Sequence, residues 1–118
     1  MKKNDILYFK NDSNELSKSA SEYVYFSMDN KVNIAGHLSS LTSDALSSYC
    51  FYGLFENCNY IDSLENLVFP DFTAKYCYQN MFQNCELLTT PPELPATSLK
   101  DGCYYGMFRG CTSLTQAP

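Results

Sequence analysis

Six cysteines and one histidine carry the richest chemistry of this chain. The cysteines stand at 50, 58, 77, 85, 103 and 111, and His37 is the only histidine among 118 residues. A thiolate can attack an electrophile, bind a soft metal or close a disulfide, and each use demands its own geometry. Zinc sites set two cysteines about two to four residues apart, commonly with histidine. Here each pair is separated by seven intervening residues, so no metal site is expected. A disulfide needs Cα atoms within about 7 Å, whereas equivalent cysteines lie a whole repeat apart in sequence. The pattern favours buried thiols that recur because each unit leaves room for a small apolar side chain. His37 has neither acid nor nucleophile at a supporting distance; Asp44 and Cys50 are the nearest proposals, and no spacing favours them. Asp62, Glu65, Asp71, Glu86, Glu93 and Asp101 are scattered and read as a solvated face. Gly102, Gly106 and Gly110 belong to a repeat, not to a phosphate loop. The chain is not read as an enzyme, and no catalytic residue or cofactor is assigned.

The cysteines mark that repeat. Pair-to-pair offsets are 27 and 26 residues, and the segments read YCFYGLFENCNYI, YCYQNMFQNCELL and GCYYGMFRGCTSL. Aligned columns hold Phe51, Tyr78 and Tyr104, then Leu54, Met81 and Met107, then Phe55, Phe82 and Phe108, then Ile61, Leu88 and Leu114. Agreement in so many columns marks internal repetition.

Positioning these columns calls for regular elements. Apolar residues four apart, such as Cys103 with Met107 and Tyr104 with Phe108, predict one face of a short helix. Asn57, Asn84 and Gly110 before the second cysteine would end it. A short strand is predicted around Ile61, Leu88 and Leu114, and Pro70, Pro91, Pro92 and Pro95 break the chain between units. The expected fold class is therefore an α+β repeat: a short leucine-rich-repeat solenoid of three strand-plus-helix units with an N-terminal β-hairpin cap. The cap spans 1–40 and the units about 41–67, 68–92 and 93–118. Within the cap, 6–9 is a short strand, 11–21 a polar loop, and 23–28 with 31–35 a hairpin turning at Asp29-Asn30. No capping segment follows the third unit, so self-association through that uncapped end is an expectation.

The run LPATSLKDGCYYGMFRGCTSLTQAP resembles the repeat of BspA-type leucine-rich-repeat proteins of bacteria. That family's aromatic, small residue, cysteine and leucine fall on Phe108, Gly110, Cys111 and Leu114, on Phe82, Asn84, Cys85 and Leu88, and on Phe55, Asn57, Cys58 and Ile61. The resemblance covers residues 32–118. It implies a leucine-rich-repeat fold and a protein-binding, adhesin-like surface module.

Composition bounds the partner. Ten Tyr and eight Phe make aromatics 15% of the chain, and the net charge is -5. An acidic chain lacks the basic surface that phosphate backbones require, so a protein partner is expected rather than nucleic acid. No stretch has the length of a membrane span. As a fragment of a larger family member the chain would sit at the cell surface or be secreted; as a complete chain it would be cytoplasmic. The rival function is a small acidic intracellular inhibitor, phage-encoded, that blocks a host nuclease or defence protein. Candidate partner-binding residues are Tyr52, Tyr105 and Arg109 on the outer helix face, and Asp62, Thr89, Thr115 and Gln116 on the strand face.

Overall fold

The computed structural model describes residues 17, 19–28, 31, 34–41 and 47–117. The expected helices are absent: each cysteine-marked segment is a ribbon of overlapping turns. In the first, Cys50, Tyr52, Leu54, Glu56 and Cys58 each donate an N–H to the carbonyl three residues back, at 3.0–3.3 Å. Every fourth residue has a left-handed backbone, at Tyr49, Gly53 and Asn57, at Tyr76, Asn80 and Asn84, and at Gly102, Gly106 and Gly110. A left-handed residue terminates a right-handed helix, so four-residue apolar spacing here builds a coil instead. Its buried positions come in pairs, Cys50 with Phe51 and Leu54 with Phe55, then Cys58.

The residues between donate to the next unit. N–H groups of Tyr49, Phe51, Gly53, Phe55 and Asn57 reach carbonyls of Lys75, Cys77, Gln79, Met81 and Gln83 at 2.7–3.0 Å. Tyr76, Tyr78, Asn80, Phe82 and Asn84 repeat this with Asp101, Cys103, Tyr105, Met107 and Arg109. Half of the ribbon's donors are thus satisfied locally and half laterally, which is neither the helical nor the strand pattern. Rings follow the same register. Phe51, Tyr78 and Tyr104 stack at 5.7 and 5.6 Å, and Phe55, Phe82 and Phe108 at 5.5 and 5.8 Å. The thiols of Cys85 and Cys111 donate to the Phe55 and Phe82 carbonyls, both at 3.1 Å.

The expected solenoid of strand-plus-helix units is therefore corrected on both halves. Among the described residues the strands are β1, Gly36–His37, and β2, Leu67–Val68, paired parallel, and the one helical piece is the 3-10 turn Leu38–Leu41. Around Ile61 and Leu88 the predicted strands shrink to a single Ser63–Thr90 bridge. Overall extents are 34 × 31 × 26 Å, a compact body rather than an elongated array. The hydrophobic core centres on the second unit, where Cys77, Tyr78, Met81, Phe82, Cys85 and Leu88 are fully buried.

The N-terminal hairpin is corrected as well. Residues 23–28 form no strand, while 29, 30, 32 and 33 lie outside the described residues. The expected strand at 6–9 and most of the loop at 11–21 lie outside them too, save an antiparallel Ser19–Glu22 bridge. Instead the segment lies on the first unit. Ser17 and Phe26 donate N–H groups to the Cys50 and Leu54 carbonyls at 3.2 and 2.8 Å. The Phe26 ring stacks on Phe55 at 5.2 Å, and the Cys58 thiol donates to the Phe26 carbonyl at 3.3 Å. Phe26 thus stands to Phe55 as Phe55 stands to Phe82.

Candidate interaction face

The third unit offers the same donor row with nothing to receive it. Among the described residues, the N–H groups of Gly102, Tyr104, Gly106, Phe108 and Gly110 have no acceptor. They are the column equivalents of Tyr76, Tyr78, Asn80, Phe82 and Asn84, all of which donate across. The rings behind them change state too: Tyr78 and Phe82 are fully buried, while Tyr104 and Phe108 are half-buried. Leu94, Tyr104, Met107 and Phe108 floor a shallow depression there, and Tyr105 and Arg109 form its exposed rim. Burial pushes the Tyr104 phenol up to about 12, so it stays a hydrogen-bond donor at neutral pH.

Glycine makes this face. A Cβ at Gly106 would lie 2.4 Å from Asn80 Oδ1, and one at Gly110 2.2 Å from Asn84 Oδ1. Both contacts are with side-chain ends, and Asn84 Nδ2 donates to Asn57 Oδ1 at 3.0 Å, so side chains can share a column between units; in the third unit glycine leaves these positions without a side chain.

Of the residues singled out by sequence, Tyr105 and Arg109 come together on this rim; Tyr105 is 63% exposed. Tyr52 lies elsewhere. Its ring meets Tyr23 edge-on at 4.8 Å, and its hydroxyl accepts from Asn80 Nδ2 at 3.2 Å. The neighbouring Tyr23 hydroxyl donates to the Glu56 carboxylate, which pushes the phenol up to about 12. Asp62 and Thr89 meet: the Thr89 hydroxyl donates to the Asp62 carbonyl at 3.0 Å. Asp62 also pairs with Lys31 at 2.7 Å, and the Lys31 ammonium holds its carboxyl below the usual carboxylate range. Thr115 and Gln116 are exposed and join neither group. Sequence reasoning missed Leu94, Tyr104, Phe108 and the main-chain donors. The available signal was glycine replacing Tyr76, Asn80 and Asn84 in the third copy.

The thiols offer little reactivity. None of the six forms a disulfide; five are buried and Cys111 is half-buried. Burial pushes Cys58 up to about 11 and Cys77 and Cys85 up to about 12. They remain protonated at neutral pH, and the thiolate is the nucleophilic form. No group of three His, Cys, Asp or Glu among the described residues is placed to hold a metal. His37 lines neither this depression nor the one beside Tyr23 and Glu56. No helix of the described residues is long and apolar enough to cross a membrane. No protein-family model matches the chain, and neither does any curated protein or solved structure.

Proposed function

We propose that the protein is a non-enzymatic binding module whose ligand is another protein, engaged through the end face of the third unit. The observation that carries this reading is the row of five unaccepted N–H groups beside two half-buried rings. Donors in such a row form directional bonds only with a partner's acceptors, and half-buried aromatic rings lose further water contact when covered. Tyr and Arg at its rim are residue types enriched at protein interfaces. The sequence resemblance to bacterial surface-binding repeats points in the same direction. Raised thiol pKa values speak against covalent chemistry at the cysteines.

The test is affinity capture with immobilised protein from a lysate of the cell that makes it, read by mass spectrometry. A Tyr105→Ala/Arg109→Ala double variant should lose the captured protein, while Glu65→Ala, on an exposed turn away from the face, should keep it. Equal capture by all three proteins, or no specific capture by the parent, overturns the proposal.

A further inference from the structure

We infer that the segment bound at this face is a chain that presents main-chain carbonyls at every second residue and stacks aromatic side chains on Tyr104 and Phe108, as a coil of the same repeat does. The inference rests on the binding reading above and specifies its partner. Its warrant is continuity with the two interfaces inside the molecule. Five coil N–H···O bonds and the ring stacks of two columns join the first unit to the second, where Tyr49 also stacks on Tyr76, and the same five bonds and two columns join the second to the third. The third unit presents the next set of donors in the same order, with the next two rings beneath them.

The polarity of the row selects the occupant. Two copies of this face cannot pair with each other, because donors would meet donors. The opposite end of a second copy, where the first unit's carbonyls lie, is partly covered: Ser17 and Phe26 occupy the Cys50 and Leu54 acceptors, and the Phe26 ring covers Phe55. Self-association through this end is therefore disfavoured, and another segment must bring the carbonyls. That same N-terminal segment shows that an irregular peptide can cap the carbonyl end of the stack by donating two main-chain bonds and stacking one ring. Recognition would follow the logic of strand addition, with main-chain bonds giving affinity and side-chain contacts specificity.

The probe is a synthetic peptide of residues 100–112, one of the two coils that present such carbonyls to a neighbouring unit's donors, titrated under reducing conditions against the 118-residue protein. Amide hydrogen exchange is followed residue by residue. Saturation should slow exchange at Tyr104, Gly106 and Phe108 and leave Cys103, Tyr105 and Met107, already bonded within their unit, near their starting rates. Phe108→Ala should weaken binding about tenfold or more, with Glu65→Ala unchanged and a scrambled peptide inert. Binding with even protection, or with protection at residues 23–28, overturns the main-chain pairing yet leaves protein binding standing. No binding to the folded parent overturns the inference alone, since capture of a cellular protein is read separately.

Discussion

At the scale of single residues, the core contains a group it would do better without. The Tyr78 hydroxyl is buried and has no hydrogen-bond partner, and burial pushes its pKa upward. The equivalent position in the first unit is Phe51, whose ring stacks on that of Tyr78 within 5° of parallel. An unsatisfied buried hydroxyl costs about 1–3 kcal/mol. Tyr78→Phe keeps the ring and removes the cost, so urea denaturation should show a gain of about 1 kcal/mol; a loss would mean the hydroxyl is bonded. The thiols make a second case. Cys77 and Cys85 sit near 12 and Cys58 near 11 when folded, against about 8.5 in an unfolded chain. The folded state therefore holds these protons more tightly. Their contribution is complete below about pH 8 and declines as pH rises through the window up to the folded values. Each thiol removes about 1.4 kcal/mol per pH unit inside it. Denaturation midpoints should be level from about pH 6 to 8 and fall steeply by about pH 10. A level profile across that range would show that the thiols reach solvent.

At the scale of the element, the alternation of bonding within the coil gives a pattern no helix or strand would give. In the free protein, amides of Tyr78, Asn80 and Phe82 are bonded to the third unit, while Tyr104, Gly106 and Phe108 lack acceptors. Native-state exchange should therefore be slow at the first three. It should alternate along the third unit, fast at even positions and slower at Cys103, Tyr105 and Met107. Uniform protection over 103–110 would mean a helix after all. Which residues stack was legible in the sequence, because the columns of Phe51 and Phe55 follow from the cysteine offsets. The conformation was not. Apolar residues four apart satisfy a helix and a coil with a left-handed residue every fourth position equally well. What separates the two is the four-residue series Gly53, Asn57, then Asn80, Asn84, then Gly102, Gly106, Gly110. Glycine and asparagine tolerate left-handed backbone and are weak helix formers. Tyr49 and Tyr76 hide the series, since tyrosine takes that backbone only against a steric cost. The candidate face was half legible: Tyr105 and Arg109 stand out by type, whereas unaccepted backbone donors depend on the conformation that was misread.

At the scale of the whole molecule, stacking makes stability unequal along the chain. The second unit is covered on both sides and supplies the most completely buried residues, while the third is covered on one. Phe82 lies between Phe55 and Phe108, with Phe69 at 6.4 Å, and none of its surface is exposed. Phe108 has one stacked neighbour and is half-buried. Removing the Phe82 ring opens a cavity that units on both sides must fill, so Phe82→Ala should cost about 3–5 kcal/mol. Phe108→Ala gives up a ring that water already reaches and leaves a dent rather than a cavity. Its cost should be about 1–2 kcal/mol, below the transfer value for full burial. Urea denaturation followed by circular dichroism measures both, and the denaturant slope adds information. Because five N–H···O bonds tie each unit to the next, the middle variant should lower the midpoint with the slope unchanged, the mark of one cooperative unit. If Phe82→Ala instead flattens the slope, the units unfold separately. Equal costs at the two positions would mean that the third unit is covered as fully as the second, and the end face would lose its claim to a partner.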